Sequence, residues 1–297
     1  MQYALEVCVD SFKSAVAAAD SGADRLELAS CLDAGGVSPS YAFVAQVCRR
    51  INTCKIHVLV RPRCGDFVYS QDEIDLITAD IIQFAGLGAH GIVSGFLHPD
   101  GTIDAHLTVK FVELCKALNL DFTFHRAFDV VKDQRTALNS LIDCGVKRIL
   151  TSGGHSKAFH GLEELSALIQ HAEGRVSIMP GGGVDEDNAA TILQVTGAKE
   201  IHGSFSCPQP SKMQFLHPKV HFSSKKTSFL HRRAGIMHAQ STIHVPEGEE
   251  GEERNEYSQE ELAEFWGRRV ASEEKIKIVK AALEALSSTA DVERQMD

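Results

Sequence analysis

The residues with the most chemical promise in this chain lie in the stretch Asp121-Phe-Thr-Phe-His125-Arg126-Ala-Phe-Asp129. Phe122 and Phe124 alternate with Thr123 and His125, the pattern of a strand that turns two phenyl rings to one side and a hydroxyl and an imidazole to the other. Where both faces of a sheet are covered, a polar residue at a strand's carboxyl end belongs more naturally to a site than to a solvent surface. Asp133 is available to cap the following helix, which leaves Asp129 for another task. Histidine titrates near neutral pH, so the expected chemistry is proton exchange at His125, with Glu27 and Asp129 as the accompanying carboxylates. The plainer alternative is an ion-paired loop.

The same arrangement recurs at other strand ends. Glu6 and Cys8 oppose Leu5, Val7 and Val9; Glu27 opposes Leu26 and Leu28; His57, Leu59 and Arg61 oppose Ile56, Val58 and Val60; His202 and Ser204 oppose Ile201. With the apolar faces against helices, Glu6, Glu27, Arg61, Thr123, His125 and His202 collect inside. Buried carboxylates need cations, and Arg61, Arg63 and Arg126 are the expected ones, with Glu6 and Glu27 orienting them from one layer deeper. A structural salt-bridge network is the competing reading. Two glycine-rich loops, Thr151-Ser-Gly-Gly154 and Met179-Pro-Gly-Gly-Gly-Val184, place backbone N–H groups of Ser152, Gly153, Gly181 and Gly182 where a barrel often binds phosphate or carboxylate. Alternatively, both are tight turns that only glycine fits. Together with the arginines they favour a small anionic ligand.

Metal chemistry has a separate set of candidates. There is no H-E-x-x-H or C-x-x-C, and His217-x-x-x-His221 is interrupted by Pro218. Cys8, Cys31 and Cys64 each lie at or just after a strand's carboxyl end, and soft thiolates suit Cu(I). The alternative is that they are small buried hydrophobes.

Positioning these groups falls to an alternation of short β-rich runs with helical segments, the signature of βα units. Strands are predicted at Tyr3–Val9, Arg25–Ala29, Lys55–Val60, Gly91–Ser94, Asp121–His125, Lys147–Thr151, Ser177–Pro180 and Glu200–Gly203. Eight of them favour a closed (β/α)8 TIM barrel over an open sheet. Helix starts agree: Asp10 or Ser11, Ser38 with Pro39, Ser70 with Glu73, Asp104, Asp133, Asp185 and Ser272 read as caps. After Ser204 the alternation fails. Between Glu247 and Glu264 stand nine glutamates and one arginine, so residues 205–269 read as an irregular, weakly packed acidic insertion. Residues 1–204 form the barrel body, and 270–297 regain an apolar stripe as the last barrel helix and tail.

A net charge of −10 argues against nucleic acid or an anionic membrane as partner. No basic leader or long apolar segment is present, and eight cysteines without paired spacing read as reduced thiols, so the expected setting is cytoplasmic. Self-association into a homo-oligomer stays open.

The chain resembles the CutC family of copper homeostasis proteins. The segments that carry the likeness run in order: Leu5-Glu-Val-Cys-Val-Asp10, Gly22-Ala-Asp-Arg-Leu-Glu-Leu28, Arg61-Pro-Arg-Cys-Gly-Asp-Phe-Val-Tyr-Ser70, Thr123-Phe-His-Arg-Ala-Phe-Asp129, Arg148-Ile-Leu-Thr-Ser-Gly153 and Met179-Pro-Gly-Gly-Gly-Val184. The resemblance implies a TIM barrel, a role in copper homeostasis and copper bound by cysteines, with no reaction assigned. Cys8 carries over directly. Ala29 stands where the family commonly has cysteine, with Cys31 two positions later; Cys64 replaces a frequent glycine, and Gly203 stands where some members have cysteine. Two functions therefore remain open: Cu(I) binding by thiolates, or an enzyme acting on a small phosphate or carboxylate substrate through a His/Arg/Glu site.

Overall fold

A computed structural model describes residues 3–213 and 268–296. The acidic stretch Glu247–Glu264, most of the expected irregular insertion and the His217/His221 pair lie outside the described residues. Eight parallel strands form the expected TIM barrel: β1 Ala4–Val9, β2 Arg25–Leu28, β3 Lys55–Leu59, β4 Gly91–Ser94, β5 Asp121–Phe124, β6 Arg148–Thr151, β7 Ser177–Pro180 and β8 Glu200–Gly203. Neighbours pair in sequence order, β1 also pairs with β8, and a Gly181–His202 bridge holds the β7–β8 seam.

Each strand leads into a helix outside the barrel: α1 Phe12–Asp20, α2 Tyr41–Arg50, α3 Gln71–Gly86, α4 Ala105–Ala117, α5 Gln134–Asp143, α6 Leu162–Ala172 and α7 Ala189–Thr196, with α8 Glu273–Met296 completing the ring. Their starts follow the local chemistry. Ser11, Asp104 and Asp133 accept N–H groups of the first turn, and Ser70 and Glu73 form a reciprocal capping box. Ser38 departs from expectation: Ser40 caps α2, because the Ser38 hydroxyl accepts the Arg61 N–H (3.0 Å) and ties down the loop after β3. β5 also stops one residue early: the His125 N–H still reaches the Ser94 carbonyl (2.9 Å), but its imidazole caps the turn that follows.

The main apolar core lies between sheet and helices. Ile276, Val279 and Leu283 of α8 are buried in it, each contributing about 1.5–3 kcal/mol by loss of apolar surface to water. A second, smaller cluster of Cys8, Ala29, Leu59 and Val93 sits apart from it, with Leu32 packed on top. The chain forms two compact units, 1–206 with 270–297 and 207–269, and two short strands, β9 Ser206–Gln209 and β10 Arg268–Ala271, pair with each other. No helix among the described residues is long and apolar enough to cross a membrane.

The barrel interior is dense enough to dictate glycine at Gly91, where an added Cβ would lie 2.6 Å from the buried His57 ring. Gly91→Ala should therefore lower stability by about 1–3 kcal/mol through overpacking, read as a shift in the urea midpoint at unchanged slope. An unshifted midpoint would mean that the ring has room to move.

Candidate functional site

Register explains how the interior groups meet. Cys8 and Glu27 are direct partners on β1 and β2, and Glu6 and His202 are partners on β1 and β8. Because Glu6 and Cys8 are two residues apart on one strand, both face inward and the two pairs stack. The Cys8 thiol, a Glu27 oxygen and a His202 nitrogen lie within 4.8 Å of one another, the one such set of three potential metal ligands among the described residues. His202 Nδ1 is 2.7 Å from Glu6 Oε1, and its Nε2 is 3.7 Å from Glu27 Oε2.

Electrostatics in this set follow from burial. Burial, then the Glu27 carboxylate, push the Cys8 thiol well above its ordinary range. Burial also raises Glu27, although His202 pulls the other way. For His202, burial alone would favour the neutral ring. The hydrogen bond to Glu6 and the Glu27 charge outweigh it and hold the ring more basic than usual. Glu6, despite complete burial, is lowered well below the carboxylate range because Arg25 and His202 stabilise its anion.

The cation beneath Glu6 is one that sequence reasoning missed. Arg25 bonds Glu6 through Nε and Glu200 through Nη2, and Glu200 also takes Arg148. Arg61, Arg63 and Arg126, expected to balance Glu6 and Glu27, all have other partners. The missed residues carried a readable signal, since Arg25 and Glu200 sit two positions before Glu27 and His202 and so share their inward face.

Above the set lies a cavity of about 180 Å³ at the carboxyl ends of the strands, lined by Cys8, Glu27 and His202 below and by Arg61, His125 and Arg126 around it. His125 Nδ1 accepts the Ala127 N–H (3.2 Å), so its proton resides on Nε2, which is buried without a partner. Gly95 makes room for this ring, since a Cβ there would stand 2.6 Å from Nδ1. Burial and then the Arg61 charge lower His125 to about 3. Burial thus favours the neutral ring, which presents its Nε2 proton as a hydrogen-bond donor. Arg61 reaches the carbonyls of Gly35 and Gly36 through Nη1 and of Gly65 through Nη2, while its face covers Phe67 at 4.8 Å.

Other expected site residues stand elsewhere or have different tasks. Arg63 is tied to Glu73 and Asp66 and lies over Tyr69, outside the cavity lining. Asp129 is a loop hub, accepting from Arg126 Nε (2.6 Å), the Thr151 hydroxyl and the N–H groups of Ser152 (2.9 Å) and Gly154 (3.2 Å). The Ser152 and Gly153 N–H groups are therefore engaged within the loop, the second by Thr151 Oγ1. Gly181 and Gly182 allow close packing: a Cβ would meet Leu150 at 2.5 Å and the Arg126 guanidinium at 2.9 Å. Cys31 and Cys64 are exposed, and the structure does not gather them with Cys8 into one ligand set.

Residues 3–207 match the model of the CutC family. The chain is 44% identical over 218 residues to the Homo sapiens copper homeostasis protein cutC homolog, covering 73% of this chain and 79% of that protein. It is 43% identical over 216 residues to a family protein CutC of Vibrio vulnificus, covering 73% and 86%. A solved CutC structure from Streptococcus agalactiae superposes with a TM-score of 0.63 at 30% identity, covering 68% of this chain and 98% of that one. A deoxyribose phosphate aldolase from Aeropyrum pernix shares the fold alone, with a TM-score of 0.51 at 13% identity.

Proposed function

Because this chain belongs to the CutC family, we propose that it serves copper homeostasis by holding one copper ion at Cys8, His202 and Glu27. The observation that carries this reading is the convergence of a thiol, an imidazole and a carboxylate within 4.8 Å, with Glu6 on the far nitrogen of the imidazole. A carboxylate at Nδ1 is the usual way to fix the tautomer and present Nε2 to a metal. Thiolate with imidazole suits Cu(I), and the thiolate offsets the ion's single charge in the buried site. The eight unpaired cysteines support a reducing, cytosolic setting for such an ion.

Binding must displace protons. The proton of the Cys8 thiol, held by burial, and the second proton of His202, held by Glu6 and Glu27, both leave when the ion enters. Affinity should therefore rise with pH and fall on acidification. In a competition titration with a chromophoric Cu(I) chelator, the reduced protein should take up about one ion, and Cys8→Ser should abolish uptake. Glu6→Gln should weaken it about 10- to 100-fold, while Cys31→Ser and Cys64→Ser leave it unchanged. Equal uptake by Cys8→Ser would remove the basis of the reading.

A further inference from the structure

A buried guanidinium is costly unless an anion accompanies it, and the other inward arginines comply: Arg25 has Glu6 and Glu200, Arg148 has Glu200, and Arg126 has Asp129. Arg61 does not. It is 6% exposed, has no carboxylate within 4.0 Å among the described residues, and donates to three backbone carbonyls, with Nε lacking a hydrogen-bond partner. His125, 5% exposed, lines the same cavity and has its own unpartnered N–H at Nε2. Phe67 links the two, its ring 4.8 Å from the Arg61 guanidinium carbon and 4.9 Å from the imidazole. The cavity is thus lined by two side chains that each keep a buried N–H without an acceptor, one of them charged and without a carboxylate partner, and by the apolar Leu32, Leu59, Phe67 and Leu150.

We infer that this cavity binds a small organic monocarboxylate, its oxygens at Arg61 and His125 and its short carbon body against the leucines and Phe67. A volume of about 180 Å³ leaves room for a ligand of a few carbon atoms. Charge selects the monoanion. One guanidinium is uncompensated, the carboxylates of Glu6 and Glu27 lie just below, and the N–H groups of Ser152, Gly153 and Gly154 after β6 are engaged by Asp129 and Thr151. The inference does not rest on the metal site, because neither Arg61 nor His125 belongs to that set.

The test is titration calorimetry with a thermal-shift screen at fixed ionic strength, on chelator-treated and copper-loaded full-length protein. Acetate, propionate, butyrate, inorganic phosphate and sulfate are the probes. At least one carboxylate should bind saturably to the chelator-treated protein, more tightly than phosphate or sulfate. Arg61→Met should weaken it about 10- to 100-fold, in line with loss of a charge-assisted hydrogen bond. Arg61→Lys, which keeps the charge, and His125→Gln guard against misfolding of the first variant, and each should weaken binding several-fold. Absence of saturable carboxylate binding would overturn the inference, as would unchanged binding in Arg61→Lys and His125→Gln. Preference for phosphate or sulfate would overturn the carboxylate assignment. Copper uptake without carboxylate binding would leave the metal reading standing and this one refuted.

Discussion

Arg25→Met should destabilise the protein by about 3–5 kcal/mol, the usual consequence of removing one partner from a buried ion pair. Arg25 is 7% exposed and Glu6 is fully buried, so the variant leaves an anion inside the barrel with only His202 to compensate it. Glu200 suffers less, because Arg148 still bonds it at 2.5 Å. The effect comes from the orphaned charge rather than from lost attraction. Adding Glu6→Gln to Arg25→Met should thus recover part of the loss, although either change alone destabilises. Urea denaturation followed by circular dichroism measures all three variants. A loss below about 1 kcal/mol in Arg25→Met, or a double variant that is simply additive, would show that the network is loosely coupled.

Acid should weaken the fold in a defined window. Burial holds both His57 and His125 near a pKa of about 3 in the folded protein, whereas the unfolded chain titrates near 6.5. Between those values the unfolded chain binds more protons, so stability declines as pH falls from about 6.5 towards about 3. Glu6, lowered well below the carboxylate range, extends the decline at the acid end. His202 works in the opposite direction. Its folded pKa is raised, so its contribution is complete at low pH and is lost as pH rises through that value. The two buried neutral histidines together are worth on the order of several kcal/mol, comparable with the 5–15 kcal/mol of a whole domain. Urea midpoints measured from pH 7.5 down to 4.5 should fall steadily, with a shallower slope in His57→Gln and in His125→Gln. Coincident midpoints at pH 7 and pH 5 would show that one or both rings are protonated inside the fold.

Much of the candidate site could be read before any coordinates. Glu6, Cys8, Glu27, His125 and His202 follow from period-two alternation at strand ends, because side-chain direction in a strand is a local property. The roles were harder. Arg63 looked like a companion of Arg61 two residues away, yet it turns outward to Glu73 and Asp66 in the loop after β3, where no strand period constrains it. Asp129 looked like a catalytic carboxylate, but Thr151, Ser152 and Gly154, more than twenty residues on, engage it. Likewise, the three cysteines shared a position relative to strand ends, but only Cys8 is on a strand; Cys31 and Cys64 lie in loops and are exposed.

By itself the sequence determined the fold class, the inward faces and the family, all of which depend on spacing repeated along the chain: eight apolar runs, their caps, and motifs in fixed order over residues 3–204. Which inward groups meet was decided only by closure of the barrel. His202 reaches Glu6 across 196 residues because β8 pairs with β1 in one register, and Cys8 faces Glu27 because β1 pairs with β2 in another. The protonation state of His125 was also a tertiary result. An imidazole titrates near neutral pH in water, and it is burial beside Arg61 that favours the neutral form of this one.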